Sequence, residues 1–164
     1  MMLKRILSLS LILWIVFFSK TAPAEVYISA EKAVKEIFPE AQEFNTETRS
    51  IDNQEFKIFT ALKMSETLGW AVVVEEMGKI KPITFLIGID KQGKVFDVYI
   101  LEYRDMFGSE IKRRSFLRQF QGKSVDSFLR VGADIDAVTQ ATISSAAAAA
   151  AVKKSLHLIS ELKK

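Results

Sequence analysis

Hydrophobic positions along this chain change their spacing several times, and each change marks an element. After Ser29, the residues Ala33, Val34, Ile37 and Phe38 recur at helical spacing until Pro39 ends the run. This predicts a short helix capped by Ser29. Residues 40–50 are polar, with an edge strand expected around Phe44 to Thr48. From Glu55 to Leu62, Phe56, Ile58 and Thr60 alternate against Lys57, Phe59 and Ala61. From Gly69 to Glu76, the run Trp70-Ala71-Val72-Val73-Val74 is apolar enough for a central strand. The clearest hairpin joins Ile83–Asp90 to Val95–Tyr103 through the turn Asp90-Lys91-Gln92-Gly93. Ile83, Phe85, Ile87 and Ile89 share one face, as do Phe96, Val98 and Ile100 on the returning strand, and Pro82 suits a strand start. The period then turns helical from about Ser109 to Gln121, with a loop over residues 122–135. A last long helix is expected from Ala146 to Lys163, with Val152, Leu156, Ile159 and Leu162 as its buried stripe. The resulting expectation is an α+β fold. An antiparallel sheet of about five strands packs with a short N-terminal helix, a middle helix and a long C-terminal helix.

The first 24 residues read differently. Met1 to Arg5 is basic, Ile6 to Phe18 is apolar, and Ala22-Pro23-Ala24 precedes Glu25. These are the three parts of a secretory signal cleaved after Ala24, which predicts an exported, periplasmic domain over residues 25–164. The alternative is an uncleaved segment anchored to the inner membrane, although the apolar run is short for a span. Lys4, Arg5 and Lys20, with no acid beside them, account for the whole formal charge of +3. The remainder is balanced and has no general electrostatic case for binding nucleic acid. The absence of cysteine excludes disulfides, thiolate metal sites, iron–sulfur clusters and haem attachment through thioethers. The single histidine, His157, falls with Lys153, Lys154 and Glu161 on the polar side of the last helix. Electron transfer by this chain therefore needs an organic cofactor. Gly122-Lys123-Ser124 ends like a P-loop, but Leu117 stands where that motif needs glycine. No Gly-x-Gly-x-x-Gly follows a predicted strand, so a nicotinamide-binding unit has no support.

The chemistry centres on Asp136-Ala137-Val138-Thr139-Gln140-Ala141-Thr142-Ile143-Ser144-Ser145. A hydroxyl-rich stretch entering a helix leaves backbone N–H groups unpaired, and these favour a phosphate. An ordinary Ser or Thr cap explains the same residues. The order Asp-x-x-Thr-x-Ala-Thr resembles the flavinylation motif of the FMN-binding domain family. That family includes the C subunit of the sodium-translocating NADH:quinone reductase and the G subunit of the Rnf complex. The resemblance implies FMN joined by a phosphoester to Thr142, placed there by an FAD:protein FMN transferase. Asp136, Thr139 and Ala141 fill the other motif positions, and Gln140 stands where the family usually has glycine. The N–H groups of Ile143, Ser144 and Ser145 are then expected beside the phosphate.

Similarity continues elsewhere in the chain. Residues 81–90 resemble the strand that leads to the family's Asp-x-x-Gly turn, and residues 100–105 resemble the strand after it. Phe116, Phe120 and Gly122-Lys123 fit its Phe-x-x-x-Phe-x-Gly-Lys. The loop Asp105-Met106-Phe107-Gly108-Ser109-Glu110-Ile111 lacks the Pro-Gly-Leu-Gly of many members, which suggests a periplasmic branch of the family. Gly108 and Ser109 are expected to approach the flavin ring, and Glu110 and Arg104 to tune it. A surface salt bridge is the plainer reading of those two charges. The basic stretch Lys112-Arg113-Arg114 with Arg118 is expected to be mainly a solvated face. The resemblance implies an electron-transfer flavoprotein working between membrane or periplasmic redox partners, without its own NADH site. The alternatives are a small flavin reductase acting on a diffusible acceptor, and a secreted binding or adaptor domain without flavin.

Overall fold

A computed structural model describes residues 25–164; the segment read above as a secretory signal lies outside the described residues. In chain order the elements are β1 (Glu25–Val26), α1 (Ala30–Ile37), β2 (Glu43–Ile51), β3 (Gln54–Lys63), β4 (Glu66–Met77), β5 (Pro82–Asp90) and β6 (Val95–Tyr103). Then come α2 (Arg114–Leu117), flanked by 3-10 turns at Ser109–Lys112 and Arg118–Phe120, and α3 (Thr142–Leu162). The sheet is antiparallel, in the order β1-β6-β5-β4-β3-β2. Its five long strands are those expected from the sequence, and the two-residue β1 adds to the β6 edge.

Local chemistry sets the element ends. The Ser29 side chain accepts from the Lys32 N–H at 3.3 Å and starts α1. Asp90 Oδ1 accepts from the N–H groups of Gln92 and Lys94, each at 2.9 Å, and closes the β5–β6 turn. Both sheet faces are covered. Phe56, Ile58, Val72, Ile83, Phe85, Ile87 and Val98 meet α3 in the larger core. Phe59, Ala61, Ala71 and Leu86 meet Ala33, Val34 and Ile37 of α1 in the smaller one. Ile83 through Ile89 are therefore buried on both sides of the sheet, so β5 is the continuous apolar strand of the domain. Each fully buried Ile or Phe there contributes on the order of 1.5–3 kcal/mol.

Three expectations need correction. Phe96 does not share a face with Val98 and Ile100. The register slips between Gly88 and Ile89, so Val95 turns into the α3 core and Phe96 is turned to the other side, stacked 6.3 Å from the Phe38 ring. The middle helix is also not continuous. Ile111 and Phe116 are both buried, and five residues of α-helix would rotate one of them well away from the other. An extended Arg113 (φ −63°, ψ 128°) breaks the helix between them and lets both point inward. Finally, α3 begins four residues earlier than its alanine run, at Thr142.

That early start places small residues against the sheet. Ala148, Ala151, Val152 and Ser155 are buried, and the Ser145 and Ser155 hydroxyls donate to the Ala141 and Ala151 carbonyls at 2.9 and 2.8 Å. The helix can thus lie close to β4 and β5 without stranding a polar atom; among the described residues no buried side-chain polar atom lacks a partner.

Candidate functional site

Three segments meet at the end of the sheet where β4 ends, β5 begins and β6 ends. They are the turn over residues 78–81, the loop over residues 105–108, and the approach to α3. Asp105 ties the first two together. Its Oδ2 accepts from the Ile80 N–H at 2.8 Å and the Lys81 N–H at 3.4 Å, and its Oδ1 accepts from the Phe107 N–H at 3.2 Å. Burial pushes the Asp105 carboxyl up, but the N–H groups of Ile80, Phe107, Lys81 and Met106 outweigh it and hold the pKa below its ordinary value.

Phe107 and Gly108 carry the connection to α3. Tyr103 donates its hydroxyl proton to the Phe107 carbonyl, and its oxygen lies 3.3 Å from Ser144 Oγ. Ser144 Oγ in turn donates to the Phe107 carbonyl at 3.4 Å. Desolvation raises the Tyr103 pKa, while the Ser144 hydrogen bond and Lys112 work against it. Gly108 has φ +78°, and a Cβ there would lie 2.2 Å from Ser144 Oγ and 3.4 Å from Ala141 Cβ. Only glycine meets both demands.

The approach to α3 is a β-turn closed by the Ala141 N–H on the Val138 carbonyl at 2.9 Å. Its third residue is Gln140, at φ +66°, while Thr139 is not in the positive-φ region. That is the type II pattern, whose third position favours glycine. The position where the family usually has glycine therefore does need positive φ, and Gln140 adopts it on an exposed turn. Replacing Gln140 with glycine is expected to stabilise the fold by about 0.5–1 kcal/mol, since relief of the left-handed strain exceeds glycine's greater unfolded-state entropy. Denaturant midpoints of the two proteins check this.

Thr142 is the first helical residue and its side chain is exposed. It is not a cap. The N-cap is Ala141, which has no side chain able to serve, and the first turn contains no acidic residue. The Ser145 N–H already donates to the Ala141 carbonyl at 2.8 Å. The groups left for an anion are thus the N–H groups of Thr142, Ile143 and Ser144, one residue earlier than the sequence suggested. They open on a cleft of about 200 Å³ lined by Lys79, Phe107, Gly108, Gln140, Ala141, Thr142, Ile143 and Ser144. A helix of 21 residues ending here, uncapped and without a carboxylate, is well suited to a phosphate.

The other expected residues are placed less directly. Thr139 and Gln140 form the turn, and Asp136 fixes its approach through its N–H, which donates to Gln119 Oε1 at 2.7 Å. The side of Asp136 faces a separate hollow with Arg113 and Gln119. Ser109 and Glu110 follow Gly108 in the 3-10 turn but do not line the cleft. Arg104 is held on the α1 side of the sheet. It bonds Glu75 Oε1 at 2.9 Å, Thr84 Oγ1 at 3.0 Å and the Glu102 carboxylate. Arg114 Nη2 donates to both Asp97 carboxylate oxygens, at 2.9 and 2.8 Å, and its Nη1 donates to the Val98 carbonyl at 3.0 Å. Sequence reasoning missed Lys79, Phe107, Tyr103 and Asp105, whose roles arise from contacts between segments distant in the chain. The visible signal was the loop itself, already singled out for Gly108.

Comparison with known proteins points to the same stretch of the chain. Residues 78–157 match the FMN-binding domain family. This chain carries an FMN-binding domain. Its cofactor is FMN. The match opens at Gly78 in the turn held by Asp105 and takes in the loop, the Thr142 motif and most of α3. All three segments of the cleft therefore lie inside the FMN-binding domain, whereas β2, β3 and β4 lie before it. Over 108 residues the chain is 29% identical to the G subunit of the proton-translocating ferredoxin:NAD(+) oxidoreductase complex of Clostridium ljungdahlii. That similarity covers 62% of this chain and 58% of the relative, so the chain spans less than two thirds of that protein. Among the described residues no cluster of His, Asp or Glu could hold a metal ion, and no helix is long and apolar enough to cross a membrane.

Proposed function

We propose that this FMN-binding domain is an exported electron-transfer flavoprotein whose FMN is esterified to Thr142 Oγ. Residues 25–164 form the working domain in this reading, released to the periplasm by cleavage after Ala24. The observation that carries it is the exposed Thr142 hydroxyl beside three unused helix N–H groups, within the domain's own cleft. Attachment by an FAD:protein FMN transferase would form the Thr142 Oγ–phosphorus bond and break the pyrophosphate of FAD. AMP leaves, and the hydroxyl proton is lost to solvent or enzyme. Thr142 acts as the acceptor and needs no catalytic base of its own in this chain.

The cleft supports a division of the cofactor. Pockets that enclose a whole ligand of this class run to roughly 300–1,000 Å³. At about 200 Å³ the cleft suits the phosphate and the start of the ribityl chain. The ring would then lie outside, where Phe107 and Ile143 border the cleft with exposed apolar side chains. A flavin held at the surface suits electron exchange with another redox protein. The relative to which this chain is similar belongs to a proton-translocating complex, which favours partners at the membrane. FMN supplies the electron chemistry; the protein's share is to tether the phosphate and orient the ring.

Co-expression with the transferase followed by intact mass measurement tests the linkage. Wild type is expected to gain FMN less one water. Thr142→Val is expected to gain nothing while keeping its fold and its stability within about 1 kcal/mol of wild type, because the lost hydroxyl is solvent-exposed. Full modification of Thr142→Val would overturn the assignment.

A further inference from the structure

We infer that Lys79 is the counter-cation of the FMN phosphate, a binding residue for the nucleotide as well as a neighbour of its tether. The inference rests on the FMN site described above and assigns a residue outside the acceptor motif. Among the described residues, Lys79 is the single charged side chain lining the cleft that contains Thr142. Its ammonium lies 4.3 Å from the centre of the Phe107 ring, and among the described residues it makes no ion pair. By contrast Lys57, Lys63 and Lys154 are each paired with a carboxylate.

The position of Lys79 is also fixed. It lies in the turn closed by the Gly78 N–H on the Lys81 carbonyl at 3.0 Å, and the next two N–H groups are held by Asp105. Gly78 permits that fit, since a Cβ there would lie 2.5 Å from Asp105 Oδ2. The ammonium therefore hangs over the cleft from a firmly held backbone, resting on an aromatic face. An exposed cation–π contact is weaker than a charge-assisted hydrogen bond to phosphate, so the ligand wins the competition for the ammonium. Lys79 and the helix start line the same cleft, so a phosphate there would meet the ammonium as well as the helix N–H groups. Among the described residues no carboxylate lines the cleft to compete.

The test compares wild type, Lys79→Gln and Lys79→Arg in two assays. In the first, purified apoprotein is titrated with free FMN and with riboflavin, which lacks the phosphate, at low and high salt. Lys79→Gln is expected to weaken FMN binding about tenfold at low salt, to leave riboflavin binding unchanged, and to lose most of the salt dependence, with Lys79→Arg restoring all three. In the second, intact mass follows the rate of FMN attachment at limiting transferase, which is expected to fall similarly in Lys79→Gln. Equal FMN affinity and equal salt dependence in wild type and Lys79→Gln would overturn the inference. If wild type binds FMN but is never covalently modified, the Thr142 linkage fails and the Lys79 comparison still decides. If wild type takes up FMN in neither form, both readings fall.

Discussion

Gly108→Ala is expected to destabilise the domain by about 3 kcal/mol and to abolish FMN loading. Two costs act together. The residue sits at φ +78°, where an added Cβ costs about 1–2 kcal/mol. That Cβ would also lie 2.2 Å from Ser144 Oγ and 3.0 Å from Ser144 Cβ, and overpacking of this kind typically costs about 1–3 kcal/mol. Ser144 cannot step aside cheaply, because it is buried on α3 and its hydroxyl is engaged with Tyr103 and the Phe107 carbonyl. The strain must pass into the first turn of α3, where Thr142 stands. Chemical denaturation measures the stability loss, and intact mass after co-expression with the transferase measures the loading. Ser144→Ala in the Gly108→Ala background is expected to recover part of the stability, since it removes the closest clashing atom. A Gly108→Ala protein as stable as wild type would show that the loop does not pack on α3 in this way.

The second large effect concerns Asp105. Asp105→Asn is expected to cost about 2 kcal/mol, the usual scale for losing charged acceptors while leaving partly buried donors behind. One oxygen of the native carboxylate serves Ile80 and Lys81 and the other serves Phe107, so an amide nitrogen would face an N–H whichever way it turned. The same carboxyl also sets an acid limit. Its pKa is depressed on folding, so its stabilisation is fully present above the ordinary aspartate value and disappears as pH falls through the folded value. Wild type should therefore lose stability on acidification below about pH 4, and the difference between wild type and Asp105→Asn should shrink over that range. A difference that stays constant from neutral pH into that acid range would contradict the assignment. Because Asp105 fixes the turn that carries Lys79, Asp105→Asn should also weaken FMN binding at neutral pH.

Much of the fold was legible because the period of the apolar residues was regular. Ile83, Phe85, Ile87 and Ile89 alternate, and Ala33, Val34 and Ile37 fall on one helical face, so burial followed directly. Phe96 misled because a bulge opposite Gly88 and Ile89 changes the parity of its strand, and no single-strand pattern carries that information. The break at Arg113 was hidden for a related reason. It is required by where Ile111 and Phe116 must both point, which depends on the sheet beneath them. Within the site, the motif alone singled out Thr142 and the glycine position filled by Gln140, and the positive φ of Gln140 gives that position its reason. Asp105, Tyr103 and Lys79 were not. They matter through hydrogen bonds and shared walls between the β4–β5 turn, the loop after β6 and the start of α3, and those contacts leave no spacing in the sequence. Arg104 shows the opposite case: its charge suggested a role beside the flavin, but its neighbours Glu75 and Glu102 hold it on the α1 side of the sheet.

Peptide mapping of the native exported protein, made in cells with an active FMN transferase, tests the tether most directly. Trypsin should release the segment from Val131 to Lys153, which holds Thr139, Thr142, Ser144 and Ser145. This peptide should be yellow, heavier by FMN less one water, and should fragment so that the added mass stays with Thr142. The same peptide recovered unmodified from flavin-replete cells, or carrying its FMN on Thr139, Ser144 or Ser145, would contradict it.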